Sequence, residues 1–410
     1  MTGLKFSQES FGYLVDFPDG TFGLYDQKVE PLLASETEKA EIAEYVLDEM
    51  KISTDFHLNR PLVVWLEVTR ACNLDCSHCY ISAGKSRRGE LTLEEWKNVI
   101  DDLSDQGVFS LIFAGGEPFL RKDFREILLH ACSKDFTLSV VTNGHFLTEE
   151  ILQGLPREKF RVTLSVDGIE AHNAIRGGDS TFELMKEKLE LLKRLGFYVS
   201  VSTVISKMNI HELDEMLSWC QDEDIVFRTV TFNTLGRGIT NSAEHRLDPE
   251  HAKASAEIFA KQKVFEVQKD KEIGRCVSKY FEYALSLMFT TKMEHCSRSI
   301  GYIASDGGVF PCVSAASTNT FGAGNVRQVP FSYLWETSFR DMRSITWDNF
   351  TKTGGACNGC DLNGPGYFCA NRCPVMSLVL NRELFGCGAS EFDRDDLRIR
   401  TKRLNELLGA

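Results

Sequence analysis

Between Pro61 and Phe232, short β-branched and apolar runs alternate with stretches whose apolar residues recur every three to four positions. That alternation admits few folds, because strand–helix–strand units pack well when the strands run parallel and the crossovers are right-handed. Six strands are read, Val63–Glu67, Ser110–Ala114, Leu138–Thr142, Arg161–Ser165, Val199–Ile205 and Val226–Phe232. Among the helices, Thr92–Gln106 starts on a Thr92 cap and lines up Leu93, Trp96, Val99, Ile100 and Leu103, and Phe182–Leu195 enters through Thr181 in the same way. Cys132 and Cys220 fall in the helices Phe124–Cys132 and Glu212–Cys220, where core packing accounts for them. In an α/β array of this kind the chemistry is expected at the C-terminal ends of the strands.

The loop after the first strand reads Thr69-Arg70-Ala71-Cys72-Asn73-Leu74-Asp75-Cys76-Ser77-His78-Cys79-Tyr80. A four-iron cluster takes four ligands, so three thiolates on one loop leave one iron with a position for a small chelating molecule. The alternatives are a zinc site, for which His78 is the local fourth ligand, or buried structural cysteines. After the second strand come Gly115-Gly116-Glu117-Pro118, where glycines permit close backbone approach and a carboxylate can accept from a charged amine, or where an ordinary βα turn sits. The third strand ends in Thr142-Asn143-Gly144, and the fourth in Ser165-Val166-Asp167-Gly168 followed by His172-Asn173-Ala174-Ile175-Arg176-Gly177. Turn chemistry explains each of these segments as well as ligand binding does.

Cysteines return at Cys296, Cys312, Cys357, Cys360, Cys369, Cys373 and Cys387, which ordinary packing does not explain. Gly307, Gly308 and Pro311 suit a hairpin that brings Cys312 back toward Cys296. With thirteen cysteines and no export signal, metal ligation is a more natural use than disulfides, and a pair of zinc sites is the rival to iron–sulfur clusters in this region.

These residues resemble two known families. The CxxxCxxC loop, the Gly115–Pro118 GGEP string and the TNG and S-x-DG…RG segments are similar to those of radical S-adenosylmethionine (SAM) enzymes, in the branch that modifies proteins and peptides. The second field resembles the SPASM extension, which holds two auxiliary four-iron clusters. The resemblance implies an α/β chain with a partial (β/α)6 TIM-like barrel, a C-terminal SPASM domain and a small N-terminal hairpin–helix unit, divided as 1–60, 61–275 and 276–410. It implies that Cys72, Cys76 and Cys79 hold the SAM-binding cluster. Gly115, Gly116, Glu117 and Pro118 then serve the SAM amino group, Ser165 the ribose and Arg176 the carboxylate through its bidentate fork. Asn143 and Asp167 join the cofactor contacts, with Thr203 and Val204 weaker candidates for contact with the adenine. Cys296, Cys312 and Cys373 take the first auxiliary cluster, and Cys357, Cys360, Cys369 and Cys387 the second. The family usually has about five residues between the two middle ligands of the second cluster, whereas eight separate Cys360 from Cys369 here, a loop-like insertion. For the first cluster's fourth ligand three readings stay open: Cys276, a substrate thiolate, or Cys276 as a buried small hydrophobe.

By the same resemblance, reduction of the cluster splits SAM into methionine and a 5′-deoxyadenosyl radical that abstracts hydrogen, while auxiliary clusters suit an oxidative outcome. The implied function is a peptide maturase that oxidatively modifies a ribosomally made precursor, forming a thioether or C–C crosslink, with an external donor such as flavodoxin or ferredoxin. A sulfatase side chain or small cofactor precursor as substrate, or a non-enzymatic iron–sulfur or zinc protein, are the other readings. No residue announces itself as a general base. The first sixty residues read as a hairpin, Gly12–Asp16 and Thr21–Tyr25 about Pro18-Asp19-Gly20, with a helix Glu36–Met50. This faintly resembles the winged-helix peptide-recognition element of such enzymes, and a structural strap is the alternative. A helix Asp393–Leu408 closes the chain. With 410 residues, 43% hydrophobic, the chain can bury a large core. It has no apolar run of about 18 residues, and its net charge of −13 comes without a basic patch, so neither membrane nor nucleic acid is expected and a cytoplasmic location is.

Overall fold

The computed structural model describes residues 5–9, 12–16, 22–26, 28, 30, 57–157, 159–273, 296–345, 357–361, 373–382, 387, 389 and 391–408. Its centre is a sheet with strands β4 (Val63–Thr69), β5 (Ser110–Gly115), β6 (Thr137–Thr142), β7 (Phe160–Ser165), β8 (Tyr198–Ile205) and β9 (Val226–Thr231) side by side in sequence order. All five pairings are parallel. These are the six strands read from the sequence, with ends moved by a residue or two. One pleat face sends Val64, Leu66, Val68, Leu111, Phe113, Leu138, Val140, Val162, Leu164, Val199 and Val201 into the main core beneath the helices. The opposite face carries small polar residues, with Thr163 Oγ1 2.9 Å from Ser200 Oγ and 3.5 Å from Ser139 Oγ. Side chains alternate between faces with a period of two, so one set of strands supplies both an apolar exterior and a polar interior.

The helix Leu93–Asp105 begins as expected. Thr92 accepts from the Glu95 backbone and Glu95 reaches back, a capping box, while Trp96, Val99, Ile100 and Leu103 are buried. Thr181 caps Phe182–Arg194 through the Leu184 N–H. Cys132 and Cys220 lie buried on their helices, Phe124–Cys132 and Leu213–Asp222. The closing helix begins a little early, Glu391–Leu408, and packs on Ala252–Ile273, with Arg403 Nε 3.1 Å from Glu257 and Arg400 4.0 Å above the Phe259 ring.

Two features depart from the sequence reading. The sheet has nine strands, because β10 (Ile300–Ile303) pairs in parallel with β4, and β11 (Gly308–Phe310) and β12 (Gly324–Asn325) continue antiparallel from it. The open edge of β4 would otherwise present unpaired backbone groups, and four residues too short to announce a barrel strand cover it. The N-terminal hairpin is present as β2 (Gly12–Asp16) and β3 (Phe22–Asp26), but an unforeseen strand β1 (Lys5–Glu9) precedes it to form a three-stranded antiparallel sheet over buried Tyr13, Leu14 and Val15. The expected turn at 18–20 and helix Glu36–Met50 lie outside the described residues. Among the described residues, no helix is long and apolar enough to cross a membrane.

Candidate active site and cysteine clusters

The cysteine loop hangs from the end of β4 and is tied at its root. Cys72 N donates to Gly84 O at 2.9 Å and Gly84 N to Arg70 O at 3.0 Å, closing the loop on itself. The end of β5 then presses against it, with Gly116 N on Thr69 O at 2.9 Å and Glu117 N on Ala71 O at 2.8 Å. A Cβ at Gly116 would stand 2.1 Å from Ala71 O, and one at Gly115, where φ is +135°, 2.3 Å from Thr69 O. The glycines do serve a close approach, but the partner in this structure is the chain's own backbone.

Cys76 is buried, and Cys72 and Cys79 are half-buried. Burial pushes the Cys76 thiol up to about 11, against the pull of Arg176 and with the push of Cys79 and Cys72, and it raises Cys72 as well. Such a thiol ionises readily only against a cation, which is what a metal cluster supplies. His78, the fourth ligand of the zinc reading, has its Nε2 committed 2.6 Å from Asp167 Oδ2.

Asp167 is the hub of a fully buried network at the ends of β7 and β8. Its Oδ2 takes Arg176 Nη2 at 2.8 Å as well as His78, and its Oδ1 takes Val204 N at 2.8 Å; burial pushes this carboxyl up, but the Arg176 guanidinium and the bonds from His78 and Val204 together hold it well below the usual carboxylate range. Arg176 Nη1 points at Cys76 Sγ, 4.0 Å away, while its Nε is buried without a partner in this structure. His172 Nδ1 accepts Asp167 N–H at 3.0 Å, so its Nε2 carries the proton toward Ser180 Oγ, and burial lowers this ring to about 3. Asn143 Nδ2 donates to Asn73 Oδ1 at 2.8 Å and lies 3.9 Å from Cys72 Sγ. Glu117, also buried, accepts from Thr142 Oγ1, Asn143 N and Phe119 N at 2.7, 2.8 and 3.1 Å, and Pro118 opens the short turn it caps. Burial raises Glu117 to about 7 despite those bonds. Ser165 is half-buried at the end of β7, and the Thr203 hydroxyl is spent on Val166 O. The structure thus gathers Asn143, Asp167 and Arg176 about the cysteine loop, with Glu117 tied to Asn143 behind them, while Val204 offers its backbone to Asp167.

Several residues here went unread in the sequence. Glu212 accepts from the backbones of Ile169, Glu170 and Ala171, anchoring the turn that carries Arg176. Glu67, fully buried, accepts from Tyr302 Oη at 2.7 Å and Ser305 Oγ at 2.8 Å, bonding β4 to the second cysteine field. Arg237, Asn241 and His245 face the cysteine loop from beyond β9. The Gly236-Arg237-Gly238 string at a strand's C-terminal side was the available signal.

In the second field, Cys296 and Cys312 come together across the β10–β11 hairpin, and their contact lowers the Cys312 thiol. Cys312 and Cys373 precede the helices Val313–Thr318 and Pro374–Asn381 and pack against one cluster with Tyr302 and Phe310. Cys357 and Cys360 share a turn, and Cys387 lies 3.8 Å from Arg394 Nη2, whose pKa both Cys387 and Cys360 raise. Cys276, Cys369 and residues 362–368 of the insertion lie outside the described residues, while its first residue, Asp361, pairs with Arg398 at 2.7 Å.

Known proteins share these features. The Radical SAM superfamily matches residues 66–220, and SPASM, an iron–sulfur cluster-binding domain, matches 296–361. The mycofactocin maturase MftC of Mycobacterium tuberculosis is 30% identical over 314 residues, 74% of this chain and 76% of that protein. The AdoMet-dependent heme synthase of Methanosarcina barkeri is 29% identical over 310 residues, 70% of this chain and 85% of that protein. Among solved structures, Streptococcus suis SuiB bound to precursor peptide SuiA aligns with a TM-score of 0.69 at 15% identity, covering 95% of this chain and 98% of that one. Native anSMEcpe with bound AdoMet aligns at 0.63 and 19% identity, covering 85% and 99%. The chain belongs to the radical SAM enzymes that carry a SPASM extension, and its cofactors are four-iron clusters and S-adenosylmethionine.

Proposed function

We propose that this enzyme oxidatively modifies a ribosomally made precursor peptide, joining side chains through a thioether or C–C crosslink. The observation that carries the peptide reading is the separate antiparallel sheet of β1, β2 and β3, whose two outer strands pair with no further strand among the described residues and so suit the addition of an extended peptide. The names of the relatives support it: MftC is a maturase, AlbA of Bacillus subtilis, 32% identical over 166 residues, is a bacteriocin biosynthesis protein, and SuiB was solved with its precursor peptide.

In this reading Cys72, Cys76 and Cys79 would hold the SAM-binding cluster, and Arg176, whose Nε is buried without a partner, would pair with the SAM carboxylate while Asp167, itself bonded by His78, holds its Nη2. Glu117, Gly115, Gly116 and Pro118 shape the amino-group side, Asn143 spans to the loop, and Ser165 and Val204 line the nucleoside side. Cys296, Cys312 and Cys373 belong to one auxiliary cluster, and Cys357, Cys360, Cys369 and Cys387 to the other. When bound, these groups supply a 5′-deoxyadenosyl radical and an acceptor for the electron that bond formation releases. The buried polar interior excludes bulk water and stray hydrogen donors around that chemistry. A flavodoxin or ferredoxin is the external donor.

Reconstituted enzyme, reduced without oxygen, is expected to release 5′-deoxyadenosine, and a peptide encoded beside it is expected to lose the mass of two hydrogens per crosslink. A second reading, a tetrapyrrole substrate, is favoured by the heme synthase and by the Fe-coproporphyrin III synthase of the same organism, 27% identical over 336 residues. Turnover of Fe-coproporphyrin III with no change in the peptide would replace the first reading with the second.

A further inference from the structure

We infer that the segment after β9, residues 233–241, is a clamp that fixes the cysteine loop, with Arg237 as its positioning residue. This rests on the reading that Cys72, Cys76 and Cys79 hold the SAM-binding cluster. Arg237 Nε donates to Cys76 O at 2.8 Å and its Nη1 to Ala83 O at 2.6 Å, while Nη1 also lies 3.0 Å from Asp75 Oδ1. The Arg237 backbone N–H takes Cys79 O at 3.0 Å, and Asn241 Nδ2 takes Ser77 O at 2.8 Å. His245 Nε2, stacked behind on Phe232, meets the Ser77 hydroxyl at 2.8 Å. Four carbonyls between Cys76 and Ala83 are therefore held by one segment far away in sequence.

The fit is close enough to demand glycine. Gly236 has φ +54°, and a Cβ there would stand 2.5 Å from Cys79 O and 2.6 Å from the Tyr80 carbonyl. The loop's own bonds, Cys79 N to Cys76 O at 3.1 Å and Ser82 N to Cys79 O at 3.2 Å among them, close short turns, and the clamp ties those turns to the rest of the fold. Locking the peptide planes at Cys76 and Cys79 fixes the direction of each Cα–Cβ bond and leaves each sulfur only its staggered χ1 positions. Ala83 N also points at Cys79 Sγ from 3.4 Å. A planar fork can reach two carbonyls on different turns at once, which a lysine's single ammonium does poorly.

The test uses full-length reconstituted enzyme and follows iron release to a chelator, together with the EPR spectrum of the reduced protein with and without SAM. A Cys72→Ala, Cys76→Ala, Cys79→Ala variant provides the baseline from the auxiliary cysteines alone. Arg237→Gln and Arg237→Lys are both expected to release the iron above that baseline at least ten-fold faster than wild type, with a broadened SAM-dependent signal and unchanged auxiliary release. Asn241→Ala, which removes one bond, is expected to speed release a few-fold and serves if the arginine variants do not fold. Wild-type release rates and spectra in Arg237→Lys, or in Asn241→Ala should the arginine variants fail to fold, would overturn the clamp. Wild-type protein that holds no more iron than the triple variant would instead overturn the assignment of the loop cysteines, and the clamp with it.

Discussion

Replacing Gly116 with alanine tests whether the loop's root is held as tightly as the geometry states. The new Cβ would lie 2.1 Å from Ala71 O, 2.6 Å from Ala71 C and 2.9 Å from Arg70 O, all backbone atoms with no rotamer to swing aside. Relief requires the Ala71 peptide to retreat by about 1 Å, and overpacking of this kind costs about 1–3 kcal/mol. That retreat also strains the bonds Gly116 N to Thr69 O and Glu117 N to Ala71 O, each worth about 1 kcal/mol net. The expected total is about 3–5 kcal/mol, borne one residue from Cys72. Gly84→Ala is the matched control, because a Cβ at Gly84 meets nothing within 4 Å although Gly84 pairs with the same loop root. Thermal melts of the metal-free proteins and iron content after reconstitution should show Gly116→Ala lower on both counts and Gly84→Ala near wild type. Equal melts and equal iron in Gly116→Ala would refute the argument.

Tyr302→Phe should cost about 1–3 kcal/mol in a denaturant melt, since it strips one donor from the buried Glu67 carboxylate and leaves Ser305 and Arg70 in place. His172 should make stability fall with acid. Its folded value of about 3 lies below the unfolded value of 6.5, so between those pH values the unfolded chain binds the extra proton and stability drops as pH falls, by up to about 5 kcal/mol. Melts of wild type and His172→Gln across that window should show a shallower slope in the variant. Cys132→Ala and Cys220→Ala should leave iron content unchanged while lowering the melt, because both thiols sit in the apolar core; a loss of iron in either would contradict that placement.

Much of the barrel was legible because its strands repeat one pattern, and the cysteine spacing marked where the chemistry lies. Thr92 and Thr181 announced their helices by a local rule, a cap followed by an apolar face, that packing did not override. The strand β1, Lys-Phe-Ser-Gln-Glu, has little apolar alternation and is held by its neighbour's ladder, a partner invisible to a local reading. The strand β10 was hidden similarly, since pairing with a strand over two hundred residues earlier leaves no trace in its own four residues. At the site, the loop motifs marked positions near the cysteines without showing which were spent on other side chains. Asp167 looks like a ligand from its place at a strand end, yet its oxygens hold His78, Arg176 and Val204. Arg237 escaped notice because an arginine between two glycines gives no sign of the carbonyls it will meet.

The strand β10 bonded along β4 also ties the two cysteine fields together. A parallel ladder running from Ile300–Val63 to Ile303–Leu66, backed by the Glu67–Tyr302 bond, does not stretch or pivot without breaking several linkages together. The strand that leads into the first cysteine loop and the hairpin that leads to Cys312 are thus joined along their backbones. At the sheet's other edge β9 pairs with no further strand among the described residues; there Gln262 of the helix Ala252–Ile273 takes the Thr229 N–H at 2.9 Å, and Val230 stands open to solvent.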